Sequence, residues 1–201
     1  MQYNVICRIY GSFYHSACMK KMKTGGIDRT TKNAIKKEYA AIVKRAKDIG
    51  KSKVLSAYLM AAYFIALNRN TDTSPQENYE LFKDGLYDSK LFHLALGKAD
   101  AYLDKKKLPG RMEWSRNSHR KQYENDWVVD VLAGNDEYDL GYNYLECGVC
   151  KLCRDEGCFE LAKYLCQLDY VMADMMGMEL KRTQTIAEGH SYCDFRYKKK
   201  G

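Results

Sequence analysis

The stretch ECGVCKLCRDEGC places thiols at Cys147, Cys150, Cys153 and Cys158. Thiols this close together can ligate iron–sulfur clusters or zinc, act as nucleophiles, or pack as small apolar side chains. Bacterial ferredoxins follow two short gaps with a three-residue gap to a Cys-Pro pair. Here the last gap is four residues and no proline follows. Zinc would need a second Cys or His pair, yet only Cys166 and Cys193 lie downstream, neither with a partner at ligand spacing. No metal and no cofactor is therefore expected. On a helix, at roughly 100° per residue, Cys150 and Cys153 share an apolar side with Val149 and Leu152. Packing explains those two thiols. Cys147 falls at the edge, where strand meets helix, and a helix N-terminus stabilises a thiolate.

Two further groups can do chemistry. Cys166 and Asp169 stand one turn apart on a helical face that also carries Ala162 and Ala173. A carboxylate beside small residues is either a ligand contact or a helix carboxylate at a seam. In the C-terminal RTQTIAEGHSYCDFRY, a hairpin closed by a two- or four-residue turn sets Arg182 opposite Tyr197. Arg182, Gln184 and Ile186 then share a face with Cys193, Phe195 and Tyr197, and Thr183 and Thr185 share the other with Asp194 and Arg196. A three-residue turn would separate these sets. Arg182 is either a salt-bridged anchor or a fork for a substrate carboxylate.

The elements that must hold these groups are mostly helical at first. Ile35, Tyr39, Ile42, Ala46 and Ile49 form one stripe over 28–50, with Gly50 as the stop. The segment 53–68 is apolar nearly all round and should be central. SPQE at 74–77 is a capping box with proline in the first turn. That helix is expected to break at KDG, 83–85; the next runs from about Asp88 to Leu103, and 105–110 is a surface turn. Beyond about 110 the pattern changes. Strands are expected at 126–134 and 140–146 and a helix over 158–176, ended by Gly177. Leu161, Leu165, Leu168, Met172 and Met175 mark its stripe. A closing hairpin would pair 178–187 with 192–198. The architecture is α+β: a helical layer against a small antiparallel sheet made by C-terminal hairpins, with two helices inserted between them. The expected organisation is one domain, helical over 1–110 and α+β over 111–201.

Composition narrows the classes. The 201 residues are 46% hydrophobic and 29% charged, the profile of a globular chain. The net charge is +7, much of it in clusters at 19–23, 104–107 and 197–200. The lysines of 28–50 read as a solvated helix face rather than a nucleic-acid site. The most apolar run, 54–67, is shorter than the roughly 18–20 residues a bilayer requires. No secretory signal is evident, and eight cysteines then point to a reducing, cytoplasmic setting. Seventeen tyrosines suit a wet-edged interior or an aromatic-lined pocket.

The segment from Glu146 to Tyr197 resembles the L-2-amino-thiazoline-4-carboxylic acid hydrolase family. The marks are the start at Cys147, the helix EGCFELAKYLCQLDY, the strand RTQT and the ending EG…CDFRY. The resemblance is dense over about 126–198 and weaker through the first hundred residues. It implies a hydrolase that opens a small cyclic isothiourea bearing a carboxylate, giving N-carbamoyl-L-cysteine. Such chemistry needs a nucleophile, for which Cys193 and Cys147 are the candidates. It needs a general base or an amidinium partner, a role open to Asp169, Glu188 and Asp194. Arg182 would take the carboxylate, with Cys166 as a ligand contact. Thr183 and Thr185 would either donate hydrogen bonds or serve the strand.

The expected partner is therefore a small-molecule substrate, not nucleic acid or membrane, with a second copy of the chain as a further possibility. The competing class is a non-catalytic small-molecule binding or sensor domain, built on the same aromatic and thiol-lined seam.

Overall fold

The computed structural model describes residues 1–22 and 28–201, the side chains of 20–22 excepted. Of the basic run at 19–23, the side chains of Lys20 and Lys21 and the whole of Lys23 thus lie outside what the structure describes. Helices α1 (Val5–Met22), α2 (Arg29–Arg45), α3 (Leu55–Arg69) and α4 (Pro75–Tyr87) open the fold. The short α5 (Lys90–Leu96) and α6 (Ala99–Tyr102) and then α7 (Leu108–Ser118) lead to the sheet. Strands β1 (Val128–Ala133) and β2 (Leu140–Glu146) come next, followed by α8 (Gly148–Asp155) and α9 (Ala162–Met175). Strands β3 (Met178–Lys181) and β4 (Cys193–Lys199) close the chain. The sheet is antiparallel throughout, in the order β1-β2-β4-β3. The class is α+β, with α8 and α9 inserted between β2 and β3. Among the described residues no helix is long and apolar enough to cross a membrane.

The central helix is α3, whose ten residues from Tyr58 to Leu67 are all buried. Full burial of each large apolar side chain stabilises by about 1.5–3 kcal/mol before entropy is counted. Around it pack Ile35, Tyr39 and Ile42 of α2, Phe82 and Leu86 of α4, and Leu152, Leu165 and Leu168 of α8 and α9. A second apolar cluster joins Val129, Tyr142, Leu180, Phe195 and Tyr197 of the sheet to Ala173 and Met176.

The predicted capping box at Ser74 forms in full: Ser74 accepts from the Glu77 N–H, and Glu77 accepts from the Ser74 N–H. Four expectations are corrected. Helix α2 ends at Arg45 instead of running on to Gly50. Helix α4 does not break at 83–85 but runs through Gly85 to Tyr87. A Cβ on Gly85 would lie 2.6 Å from the Ala17 carbonyl oxygen, so this glycine serves the close approach of α1. The expected helix 88–103 is divided at Gly97, which has φ +77°. The expected surface turn at 105–110 is instead a 3₁₀ turn that feeds α7, with Pro109 in the first turn of that helix.

The closing hairpin is also different. Leu180, not Arg182, lies opposite Tyr197, so the register is displaced by two residues. The strand ends at Lys181, and 182–192 forms a loop containing a 3₁₀ turn at Ile186–Glu188. Thr185 caps that turn by accepting from the Glu188 N–H, and its hydroxyl donates to Glu188 at 2.7 Å. A two-residue displacement preserves which side each residue faces, so Cys193, Phe195 and Tyr197 still point to the buried side.

Candidate active site

Helix α8 begins where β2 delivers the chain to the interior. Cys147 is its N-cap, with extended backbone angles, and Cys150, Cys153, Val149 and Leu152 are all buried along the predicted side. Lys151 pins the helix start to the preceding loop by donating to the carbonyls of Glu124 (2.6 Å) and Asp126 (2.9 Å). Gly148 is needed there: a Cβ would lie 2.5 Å from the Trp127 ring and 2.6 Å from the Asn125 carbonyl oxygen. At the other end of α8, Glu156 is clamped by Arg45 (2.6 Å) and Arg69 (2.7 Å).

Between α3, α9 and the sheet lies a cavity of about 260 Å³. Cys147, Cys166, Asp169 and Cys193 all line it. Trp127, Tyr144, Phe195 and Tyr197 supply aromatic walls, and Met60, Met172 and Met176 soft apolar ones. Asp169 is the sole charged residue of the lining among the described residues. Burial pushes its carboxyl up to about 6, against the opposing pull of the Arg182 cation. Its side chain is 26% exposed, whereas that of Arg182 is 3% exposed.

Arg182 stands behind this wall and is fully engaged. It donates to Asp169 Oδ2 at 2.8 Å and to the Cys166 carbonyl oxygen at 2.9 Å. Its guanidinium carbon lies 4.8 Å from the ring centroids of both Tyr170 and Phe195. Arg182 is thus salt-bridged to Asp169, the feature that the anchor reading of the sequence named.

The thiols differ in character. Cys147 makes no side-chain capping hydrogen bond. The Cys150 thiol, and then the N–H groups of Cys150 and Val149, hold Cys147 below the ordinary thiol range, outweighing burial and the Asp169 charge. Pairing with Cys147 and burial drive Cys150 the other way. Burial pushes Cys193 up to about 11, although its sulfur accepts the Ile186 N–H at 3.2 Å. Cys166 is raised by burial and by Asp169. Cys147 is thus the thiol most readily ionised in the cavity.

The remaining sequence candidates lie outside the lining. Asp194 accepts from the N–H groups of Thr183 (2.9 Å) and Gln184 (2.8 Å) and from the Thr183 hydroxyl (2.7 Å). The burial cost on its carboxyl is outweighed by these donors, which leave it below the usual range. Thr185 and Glu188 hold each other in the 3₁₀ turn. These four residues brace the loop that carries Arg182. Among the described residues, no group of three or more His, Cys, Asp and Glu side chains is placed to hold a metal ion. Sequence reasoning did not single out Trp127 and Tyr144, whose rings close the cavity beside Cys147.

Neither a curated protein nor a solved structure matches the chain. The family model described as L-2-amino-thiazoline-4-carboxylic acid hydrolase matches residues 52–197, which hold every cavity-lining residue named above. With well over half of its length matched, and with the α+β architecture around one thiol-lined cavity, the chain belongs to the L-2-amino-thiazoline-4-carboxylic acid hydrolase family.

Proposed function

We propose that this chain is a hydrolase that opens a small cyclic isothiourea acid, L-2-amino-thiazoline-4-carboxylate or a related ring. The observation that carries the reading is one cavity containing both an ionisable N-cap thiol, Cys147, and a carboxyl poised near neutrality, Asp169.

In this reading the Cys147 thiolate adds to the ring carbon between nitrogen and sulfur. The ring carbon–sulfur bond breaks, and the departing sulfur takes up a proton as a free thiol. The carbon remains on Cys147 as an isothiourea. Water then attacks that carbon, Asp169 accepts its proton, and the Cys147 sulfur leaves. One water is consumed, and the product is N-carbamoyl-L-cysteine. Arg182 is a positioning residue that fixes the direction of Asp169. Cys193 and Cys166 complete the wall.

The test is turnover of L-2-amino-thiazoline-4-carboxylate by the purified protein, followed through release of free thiol. The expected outcome is product formation that falls at least about a hundredfold in Cys147→Ala and persists in Cys193→Ala. Turnover unchanged in Cys147→Ala would remove the thiol from the mechanism. No turnover by the folded protein would favour a binding role for the same aromatic cavity.

A further inference from the structure

Cys147 and Cys150 form a C-x-x-C unit whose two thiols sit in unlike places. Cys147 lines the cavity and is partly exposed. Cys150 is 1% exposed and absent from the lining. Their positions are the N-cap and the third residue of α8, the pair whose side chains turn toward each other at a helix start. The Cys150 thiol is also the largest influence holding Cys147 below the ordinary thiol range. The second thiol pair of the region, Cys153 and Cys158, is buried and lies away from the cavity.

We infer that Cys147 and Cys150 are a reversible peroxide-reactive dithiol, with Cys147 the thiol attacked and Cys150 the resolving thiol. A small hydroperoxide enters by the cavity. The Cys147 thiolate attacks its outer oxygen, the O–O bond breaks, and Cys147 becomes a sulfenic acid while the departing oxygen leaves as an alcohol or water. The Cys150 thiol then attacks the Cys147 sulfur and expels water, leaving a disulfide. Sulfur is oxidised by two electrons and the peroxide is reduced by the same two. A dithiol reductant reverses the bond. The N-cap and third residue of a helix have Cα atoms within the span a disulfide bridges. The oxidation does not depend on the hydrolase reading. Where that reading holds, disulfide formation also removes its nucleophile.

Cleavage after Lys121 and Lys151 gives a peptide, 122–151, whose only cysteines are Cys147 and Cys150. The reduced full-length protein is treated with one equivalent of hydrogen peroxide, alkylated, and digested at lysine and arginine. The expected peptide is lighter by two hydrogens, carries no alkyl label, and regains both labels after dithiothreitol. A peptide that keeps both labels, gains sulfinic oxygens, or is bridged to another cysteine overturns the inference. In Cys150→Ser given excess hydrogen peroxide, a second peroxide should carry the Cys147 sulfenic acid on to sulfinic acid, which dithiothreitol does not reverse. Full recovery in that variant would equally overturn the role of Cys150. The wild-type peptide decides the matter even if the variant folds poorly.

Discussion

Arg182 donates to Asp169 at 2.8 Å from a side chain only 3% exposed, while Asp169 lines the cavity. In the proposed mechanism the pair separates two jobs: the cation orients and the anion is left for chemistry. Breaking a buried pair by removing one partner is costly, on the order of 3 kcal/mol.

In the proposed mechanism the ionised form of Asp169 is the base, so kcat/KM is expected to rise with pH through about 6. Arg182 is the influence that lowers this carboxyl, so Arg182→Met should move the rising limb to higher pH, while Arg182→Lys should leave it near its original place. The pH profile of all three proteins is the measurement. An unmoved limb in Arg182→Met would separate Asp169 from that titration.

The same carboxyl sets a stability signature. Its native value lies above its ordinary one, so the native state binds the proton better between about 4 and about 6. Its contribution is present at acid pH and lost as pH rises through about 6. His15 opposes it: burial, then Lys36 and Lys32, hold it down to about 4, so its contribution is lost as pH falls below the ordinary histidine range. The urea midpoint of Asp169→Asn, relative to wild type, should therefore climb between pH 4 and pH 7.

Cys147 should be alkylated first among the eight cysteines. It is the cavity thiol held below its ordinary range, whereas Cys193 is held up at about 11 and Cys150 is buried. Substoichiometric iodoacetamide followed by peptide mapping checks this. Prior labelling of Cys193 would reverse the ranking.

Asp194→Ala should behave as a stability variant. It removes the acceptor of three hydrogen bonds from Thr183 and Gln184, leaving their N–H groups to find other partners. A loss of about 2 kcal/mol is expected by chemical denaturation. Turnover measured well below the new midpoint should stay within about threefold, an outcome that tests whether Asp194 lies outside the chemistry.

No lysine or arginine lines the cavity among the described residues, and the hydroxyls there come from Ser56, Tyr102, Tyr144 and Tyr197. A ring lacking the carboxylate, 2-amino-2-thiazoline, should therefore bind within about tenfold of the acid. Calorimetry with both compounds checks it. A loss of several hundredfold would reveal a cation recruited on binding.

Much of this was legible from residue pattern. Alternation defined β2 at Leu140–Glu146, and the SPQE box marked the start of α4. The helical wheel separated Cys147 from Cys150 and Cys153, and one-turn spacing paired Cys166 with Asp169 on the cavity side. The register of β3 and β4 was not legible, because a loop with its own 3₁₀ turn replaces the tight turn. The Thr185 and Glu188 spacing is a helix-start signal that marks it. Arg182 was recognisable as an arginine on the apolar side. That Tyr170 and Phe195 would enclose it depends on α9 packing against β3, which no local pattern encodes.

The clamp on Glu156 reaches further than its two ion pairs. Arg45 belongs to α2, outside the matched segment 52–197, and Glu38 of α2 shares both arginines. Ile35, Tyr39, Ile42 and Val43 of the same helix are buried in the core that holds α3 and α8. The border of the matched segment therefore falls between α2 and the helices it packs against. A chain trimmed at residue 52 would keep every cavity residue and lose the scaffold that keeps α8, and with it Cys147, in place.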